Sequence, residues 1–285
     1  MNITASVSPT DGSPIQEHKE LQRVLVVTSV AAERDAVLRG LKGCARFNVV
    51  IGGVGSAAAA ASTAAVLAAA EYDLVICAGI AGGFVGVAEV GSLVVASEIV
   101  AADLGAESGN NGHAQEDEGN VGNEDVSKHA GRDVDTALAA DMRKSERGSA
   151  YANPHNAGLA DVDFISLDEL GFGSARAAVD AQTAARLAAA LEAARLAVSS
   201  GPVLTLSTVT GTARSAAVLA KRVPGAAAEA MEGYGVAIAA QQRGIPCLEL
   251  RSISNAVGPR DRSAWRIPQA LQALEAASTV LSEVL

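Results

Sequence analysis

Four side chains that could take part in catalysis stand near the ends of apolar segments in this 285-residue chain. They are Glu33, Glu232, Arg251 and Asn255, the last two within the late apolar run IPCLELRSISN (245–255). Open α/β sheets bind ligands at the carboxyl ends of their strands, where a carboxylate can orient or deprotonate water and a carboxamide can donate and accept hydrogen bonds. Acids are also favoured at helix starts on electrostatic grounds, so each glutamate alone has an ordinary explanation. Their corresponding positions together predict one crevice.

The histidines and cysteines argue against several other kinds of site. All four histidines lie outside the apolar segments, near the N-terminus or in a polar central stretch: His18, His113, His129 and His155. A Ser-His-Asp or Cys-His nucleophile and a His-based metal site are therefore not expected in the core. The three cysteines lie far apart without C-x-x-C spacing: Cys44, Cys77 and Cys247. Reduced thiols are predicted, with neither disulfides nor structural zinc.

Two glycine-rich turns follow apolar runs. In GGVGSAAAA (52–60), Gly53, Gly55 and Ala58 fit the dinucleotide-binding pattern G-x-G-x-x-A, with Glu71 or Asp73 as the acid that would hold a ribose. These acids precede the next strand rather than end one, and close packing alone requires glycine at such junctions. In the second turn, CAGIAGGF (77–84), backbone amides could hold a sugar or a base, and turn geometry explains its glycines equally well.

The elements that must position these residues are strands alternating with helices. Short apolar runs rich in β-branched residues are separated by helical patterns, which predicts an α/β fold with a central mixed, largely parallel twisted sheet flanked by helices. Asp180 is a candidate N-cap. Helices are predicted over residues 32–41, 56–70, 181–198 and 231–244, with a last amphipathic helix through Ile267, Leu271, Leu274 and Leu281.

Composition limits the partners and the domain organisation. The chain is 49% apolar and carries a formal charge of −10, which gives no basic surface for nucleic acid or acidic lipid. The N-terminal 20 residues are polar and no apolar run is long enough to span a bilayer, so a cytoplasmic protein is expected. We expect residues 1–22 to be a flexible tail and residues 23–285 to form one domain, interrupted by a polar, disordered insertion at about 108–162.

Several segments together resemble the nucleoside phosphorylase/nucleosidase superfamily, in the branch that contains 5′-methylthioadenosine/S-adenosylhomocysteine nucleosidase. They are VLVVTSVAAERDAVL (24–38), ICAGIAGGF (76–84), AMEGYGVAIAA (230–240) and LELRSISNAVGPRDRSAW (248–265). Within that branch, three segments are most similar to the futalosine hydrolases, enzymes of the futalosine route to menaquinone: ADLGAES (102–108), FISLDELGFG (164–173) and SNAVGPRDRSAW (254–265). The resemblance covers about residues 23–107 and 163–285, and it implies a nucleoside phosphorylase-like fold.

The resemblance implies hydrolysis of an N-ribosidic bond without a metal or redox cofactor, by a homo-oligomer of at least two subunits. Glu232 would accept hydrogen bonds from the ribose 2′ and 3′ hydroxyls, and Glu33 would orient and deprotonate the attacking water. Arg251 would steer Glu33 or the water, with a structural ion pair as the rival interpretation. A carboxylate at the water position would repel phosphate, which favours hydrolysis over phosphorolysis.

The base contacts implied by the resemblance centre on Asn255. Adenine-specific nucleosidases carry an aspartic acid at the matching place, which protonates N7 of the base. An amide cannot supply that proton, but it suits a 6-oxopurine, so the expected reaction is cleavage of futalosine to hypoxanthine and dehypoxanthine futalosine. Further substrate-binding positions are Ile80, Ala81, Gly82, Phe84, Thr208, Val209, Thr210 and Met231.

Two alternatives stay open at this point. The nearest is a purine nucleosidase of the methylthioadenosine/S-adenosylhomocysteine type, with a phosphorylase as a less favoured variant. The other, from a different class, is an NAD-binding Rossmann-like protein that uses Gly53, Gly55 and Ala58.

Overall fold

The fold was analysed in a computed structural model, which describes residues 23–108 and 163–285. The strands in these ranges are β1 Val24–Thr28, β2 Phe47–Ile51, β3 Leu74–Gly83, β4 Leu93–Ala101, β5 Gly105–Ser108, β6 Asp163–Ser166, β7 Arg176–Ala178, β8 Val198–Thr205, β9 Ala228–Ala230 and β10 Cys247–Ala256. The helices are α1 Ala31–Leu41, α2 Ser56–Ala69, α3 Ala181–Ala193, α4 Ala213–Arg222, α5 Gly233–Gln241 and α6 Ile267–Val284, with a 3₁₀ turn at Arg262–Ala264.

Eight of the described strands form one mixed sheet, in which most pairings are parallel. Strand β3 is central, because it pairs in parallel with β1 on one side and with β10 on the other. Beyond the end of β1, the short strand β9 pairs with Gly82 and Gly83 of β3 in antiparallel fashion. β10 also pairs with β4, β4 pairs with β8, and β8 pairs with β9. Together with β3, these strands therefore form a closed ring of paired strands.

Helices cover both faces of the sheet, as the strand sequences require. In β1, Leu25 and Val27 pack in a buried cluster with residues of α2 and α5, whereas Val24 and Val26 pack in a second cluster with residues of α1, α3 and α6. Side chains that alternate between two apolar layers explain why the strand is apolar throughout. The structure thus has the mixed α/β sheet with flanking helices that the sequence predicts.

Some element boundaries differ from the prediction. The helix expected over 181–198 ends at Ala193, because Arg195 adopts a left-handed backbone with φ of 60° and the chain then enters β8 at Val198. Its start agrees with the sequence, since the Asp180 side chain accepts a hydrogen bond from Thr183 N at 2.8 Å. Helix α4 was not predicted. The strand β9 was not predicted either, because its three residues are too few to show an alternating pattern.

The described residues 106–108 and 163–165 belong to a second unit of the chain, in which β5 and β6 pair as a two-stranded sheet. The predicted tail at 1–22 and nearly all of the predicted insertion at 108–162 lie outside the described residues. Among the helices that are described, none has the length and apolar character needed to cross a membrane.

Candidate functional site

Glu33 lies in the first turn of α1, directly after β1, and its side chain is buried. Its Oε2 accepts hydrogen bonds from the Ser29 amide at 2.9 Å, the Ser29 hydroxyl at 2.9 Å and the Val30 amide at 3.2 Å. These local bonds are typical of a glutamate at a helix start. The bond from Ile80 N to Oε1 at 2.9 Å is not local, because it comes from β3. Four donors therefore fix the carboxylate at the carboxyl ends of two adjacent strands.

Glu232 immediately precedes α5, and its buried carboxylate is bound from three directions. Oε1 accepts a hydrogen bond from Gly55 N, and Oε2 accepts from Met231 N and from Arg251 Nη2, each at 3.3 Å. The glycine-rich turn before α2 thus directs an amide toward a carboxylate of the chain itself.

Arg251 is fully buried and connects the acids of this region. Its Nε donates to Glu249 Oε1 at 2.8 Å, and its Nη2 lies 3.2 Å from the Cys77 sulfur besides contacting Glu232. Burial opposes the charge of Arg251, yet its pKa is raised by Cys77, Glu249, Glu232 and Glu33 around it. Arg251 is therefore a cation held among carboxylates, and it reaches the candidate site through Glu232.

Glu249 is a buried acid that the sequence reasoning did not single out. It lies two residues before Arg251 in β10, and its Oε2 has no hydrogen-bond partner. Burial raises the pKa of Glu249, although the adjacent Arg251 guanidinium partly offsets this effect. Protonation therefore relieves part of the cost of burying the Glu249 carboxylate.

Asn255 lies near the end of β10, opposite Gly82 of β3 and next to a bulge at Ser254. Its Oδ1 accepts a hydrogen bond from Ser254 Oγ at 2.8 Å, and its Nδ2 donates to Ala256 O at 3.0 Å. These two bonds set the orientation of the amide and leave one N–H of Nδ2 for a ligand.

These elements enclose one pocket of about 240 Å³. Its lining includes eight of the predicted site residues: Glu33, Ile80, Ala81, Gly82, Val209, Met231, Glu232 and Asn255. The other lining residues are Ser29, Val30, Val54, Glu229, Ala230, Ser254, Trp265 and Ile267. The pocket is mainly apolar, and its lining residues within 23–108 and 163–285 include three carboxylates and no lysine or arginine.

Four predicted site residues do not line this pocket. Arg251 is buried and touches the pocket only through its bond to Glu232. Thr208 is exposed on the loop after β8. The amide and hydroxyl of Thr210 both donate to Glu229. Phe84, expected to contact the substrate, directly follows β3 and packs in a buried apolar cluster with Leu204, Leu206, Leu219 and Val257.

Among the lining residues that sequence reasoning missed are Glu229 and the apolar side chains of Trp265 and Ile267. Glu229 is 5% exposed, and burial raises its pKa while the two hydrogen bonds from Thr210 act against this rise. A lone acid inside the apolar run AAAEAM (226–231) was the available signal. No local pattern indicated that Trp265 and Ile267 line the same pocket as residues at the ends of β1 and β3.

The dinucleotide-binding pattern of the first glycine-rich turn (52–60) has no matching acid in the structure. Glu71 and Asp73 precede β3 at its amino end and line a separate hollow beside Tyr72 and Arg243. Gly55 follows the carboxyl end of β2, which runs parallel to β1 and hence to β3. The glycines and the acids are therefore at opposite edges of the sheet, which does not suit a dinucleotide. In the described ranges, no group of three histidine, cysteine, aspartate or glutamate side chains could hold a metal ion.

Comparison with known proteins shows the family of the chain. The model of the phosphorylase superfamily matches residues 10–285. A futalosine hydrolase from Streptomyces coelicolor is 41% identical over 282 residues, covering 92% of this chain and 96% of that protein.

Solved structures show the same fold at low identity. The native structure of a futalosine hydrolase from Helicobacter pylori has a TM-score of 0.63 at 15% identity, covering 92% of this chain and 98% of that one. The 5′-methylthioadenosine/S-adenosylhomocysteine nucleosidase from Neisseria meningitidis, in complex with methylthio-immucillin-A, has a TM-score of 0.63 at 17% identity, covering 92% and 100%. From the superfamily match and the extensive identity with the Streptomyces protein, this chain belongs to the phosphorylase superfamily and, within it, to the futalosine hydrolase family.

Proposed function

We propose that this chain is an N-glycosyl hydrolase that cleaves futalosine to hypoxanthine and dehypoxanthine futalosine, a step of menaquinone biosynthesis. The observation that carries the proposal is that Glu33, Glu232 and Asn255 line the same pocket, whose described lining residues include no lysine or arginine. The sequence identity of the chain with a futalosine hydrolase, over 96% of that protein, supports the choice of substrate.

Glu33 is proposed to orient the attacking water and to take its proton. Oε2 is occupied by three donors, whereas Oε1 receives the Ile80 amide and has a further acceptor position. A water bound there would meet a carboxylate that cannot rotate away. The proton passes to Glu33 as the water oxygen bonds to C1′ and the C–N bond breaks. The leaving base takes up one proton from solvent water, and Glu33 returns its proton to solvent, so that the protons balance.

Glu232 is proposed to bind the ribose 2′ and 3′ hydroxyls. A carboxylate held by Gly55 N, Met231 N and Arg251 is already in place when positive charge develops on the sugar, so it stabilises that charge without reorganisation. Arg251 contacts Glu232 from the buried side and acts as a positioning residue.

Asn255 is proposed to donate its free N–H to N7 or O6 of the leaving hypoxanthine. Replacing it with aspartate removes this donor and puts a carboxylate acceptor in its place, which can pair with the amino group of adenine but not with O6 of hypoxanthine. The preference of the enzyme should therefore move toward adenine nucleosides by about tenfold. Rates of base release from futalosine and from 6-amino-6-deoxyfutalosine measure the shift. An unchanged preference in Asn255→Asp would contradict this role.

The hydrolase is tested by a product assay with futalosine, inosine and methylthioadenosine, with and without phosphate. We expect hypoxanthine from futalosine at a rate that phosphate does not alter, because the three carboxylates of the pocket repel an anion. Adenine release from methylthioadenosine as the main activity would favour the alternative nucleosidase. A requirement for phosphate would identify a phosphorylase.

The assembly and location of the protein are part of the same proposal. A homo-oligomer of at least two subunits is proposed from the family resemblance, together with the cytoplasmic location expected above. Light scattering on the purified protein measures the first, and a mass near 28.6 kDa would contradict it.

A further inference from the structure

Glu229 is the third carboxylate of the pocket, and it has no part in the reaction proposed above. We propose that Glu229 is a specificity-determining residue, whose carboxylate accepts a hydrogen bond from N1–H of a 6-oxopurine base. The inference rests on the proposed function, because it concerns the base that leaves from the same pocket.

The strand pairing places Glu229 and Asn255 on either side of one glycine. Glu229 in β9 and Asn255 in β10 are both paired with Gly82 of β3. Paired residues of neighbouring strands direct their side chains to the same face, and the strands lie about 4.8 Å apart. A Cβ on Gly82 would lie 3.3 Å from Asn255 Nδ2, so the glycine allows the Asn255 amide to approach the strand closely. Glu229, Gly82 and Asn255 all line the pocket, so the carboxylate and the amide face the same ligand space.

The hydrogen bonds of Glu229 leave its carboxylate able to accept another donor. Oε1 accepts the Thr210 amide at 2.8 Å, and Oε2 accepts the Thr210 hydroxyl. Each carboxylate oxygen has about two acceptor sites, so two of the four are used. Since burial raises the pKa of Glu229, a further donor from the ligand would stabilise the ionised carboxylate.

The edge of a 6-oxopurine matches this pair of side chains. Hypoxanthine presents two acceptors, N7 and O6, followed by the N1–H donor. Asn255 supplies an N–H for the acceptors, and Glu229 supplies an acceptor for N1–H. Adenine presents an N6 amino donor and has a lone pair at N1, so that Glu229 would face another acceptor. A buried acceptor left unpaired discriminates strongly between such analogues.

The test compares wild type, Glu229→Gln and Thr210→Val on futalosine and on 6-amino-6-deoxyfutalosine. The glutamine amide can donate to N1 of adenine, so the ratio of kcat/KM between the two substrates should fall by about tenfold or more. Thr210→Val removes one bond that holds Glu229 and should lower the ratio in the same direction by less. If Glu229→Gln does not fold, the Thr210 variant decides the question.

Glu249→Gln is the matched control, because it also removes a buried carboxylate but faces Arg251 rather than the pocket. It should change the rates with both substrates alike and leave their ratio unaltered. A ratio within about twofold of wild type in folded Glu229→Gln would overturn the inference.

Base binding separates this inference from the proposed function. Trp265 is the single tryptophan of the chain and lines the pocket, so its fluorescence reports binding of free hypoxanthine or adenine. Wild type should bind hypoxanthine in preference to adenine, and Glu229→Gln should lose that preference. If wild type does not cleave futalosine but shows this pattern, the proposed function fails and the role of Glu229 stands. If it cleaves futalosine and both proteins bind the bases alike, only the inference fails.

Discussion

Gly79 offers the sharpest test of the role proposed for Glu33. It lies in β3 opposite Arg251, at the point where Glu33 and Arg251 approach the strand. A Cβ at position 79 would lie 2.5 Å from Glu33 Oε1 and 2.9 Å from Arg251 Nη1. Gly79→Ala thus adds one methyl group at the proposed water-binding carboxylate without changing any charged residue.

The size of the effect follows from these distances. Ordinary van der Waals contacts of a Cβ begin near 3.4 Å, so the Glu33 carboxylate must retreat by about 1 Å, or β3 must shift as far. Such a retreat weakens the 2.9 Å bond from Ile80 N. A misplacement of about 1 Å can lower a rate about 100-fold. We therefore expect kcat/KM for futalosine to fall about 100-fold, while overpacking lowers the free energy of unfolding by about 1–3 kcal/mol.

Gly201→Ala provides a matched control for that overpacking. Gly201 lies in β8, and a Cβ there would lie 2.8 Å from the Ala227 Cβ and 2.9 Å from the Gly225 carbonyl oxygen, away from the pocket lining. The assay is hypoxanthine release, with urea unfolding of both variants. Gly201→Ala should lose stability and keep most of its activity per folded molecule. If Gly79→Ala is folded and no slower than Gly201→Ala, Glu33 is not the group that activates water.

Two further predictions concern stability. Because the pKa of Glu249 is raised above its usual value of 4.5, its contribution to stability is full below that value and is lost as pH rises through the folded-state pKa. Glu249→Gln lacks this loss, so its unfolding free energy relative to wild type should rise as the pH is increased above 4.5 in urea titrations; a constant difference would contradict the assignment. Asp180→Ala removes the cap at Thr183 N and should cost about 1 kcal/mol in the same assay without changing kcat/KM. A loss of activity with unchanged stability would show that Asp180 acts in the site.

Local sequence patterns were enough to predict most of the sheet and its flanking helices. The apolar run at β1 and the helix after it, with Glu33 in its first turn, follow from periodicity alone. The end of α3 did not, because the left-handed residue that stops it is Arg195 rather than glycine. The sequence also predicted the family of the chain, since the family motifs are contiguous segments of sequence.

The sequence by itself determined which chemical groups are available: carboxylates at Glu33 and Glu232, an amide at Asn255, and no histidine in the apolar segments. Only the tertiary structure decided which of them meet. The register of β9 and β10 against Gly82 brings Glu229 opposite Asn255, and the turn after β3 buries Phe84 away from the pocket. These contacts join residues far apart along the chain, and strand pairing depends on the packing of both faces of the sheet rather than on local propensity.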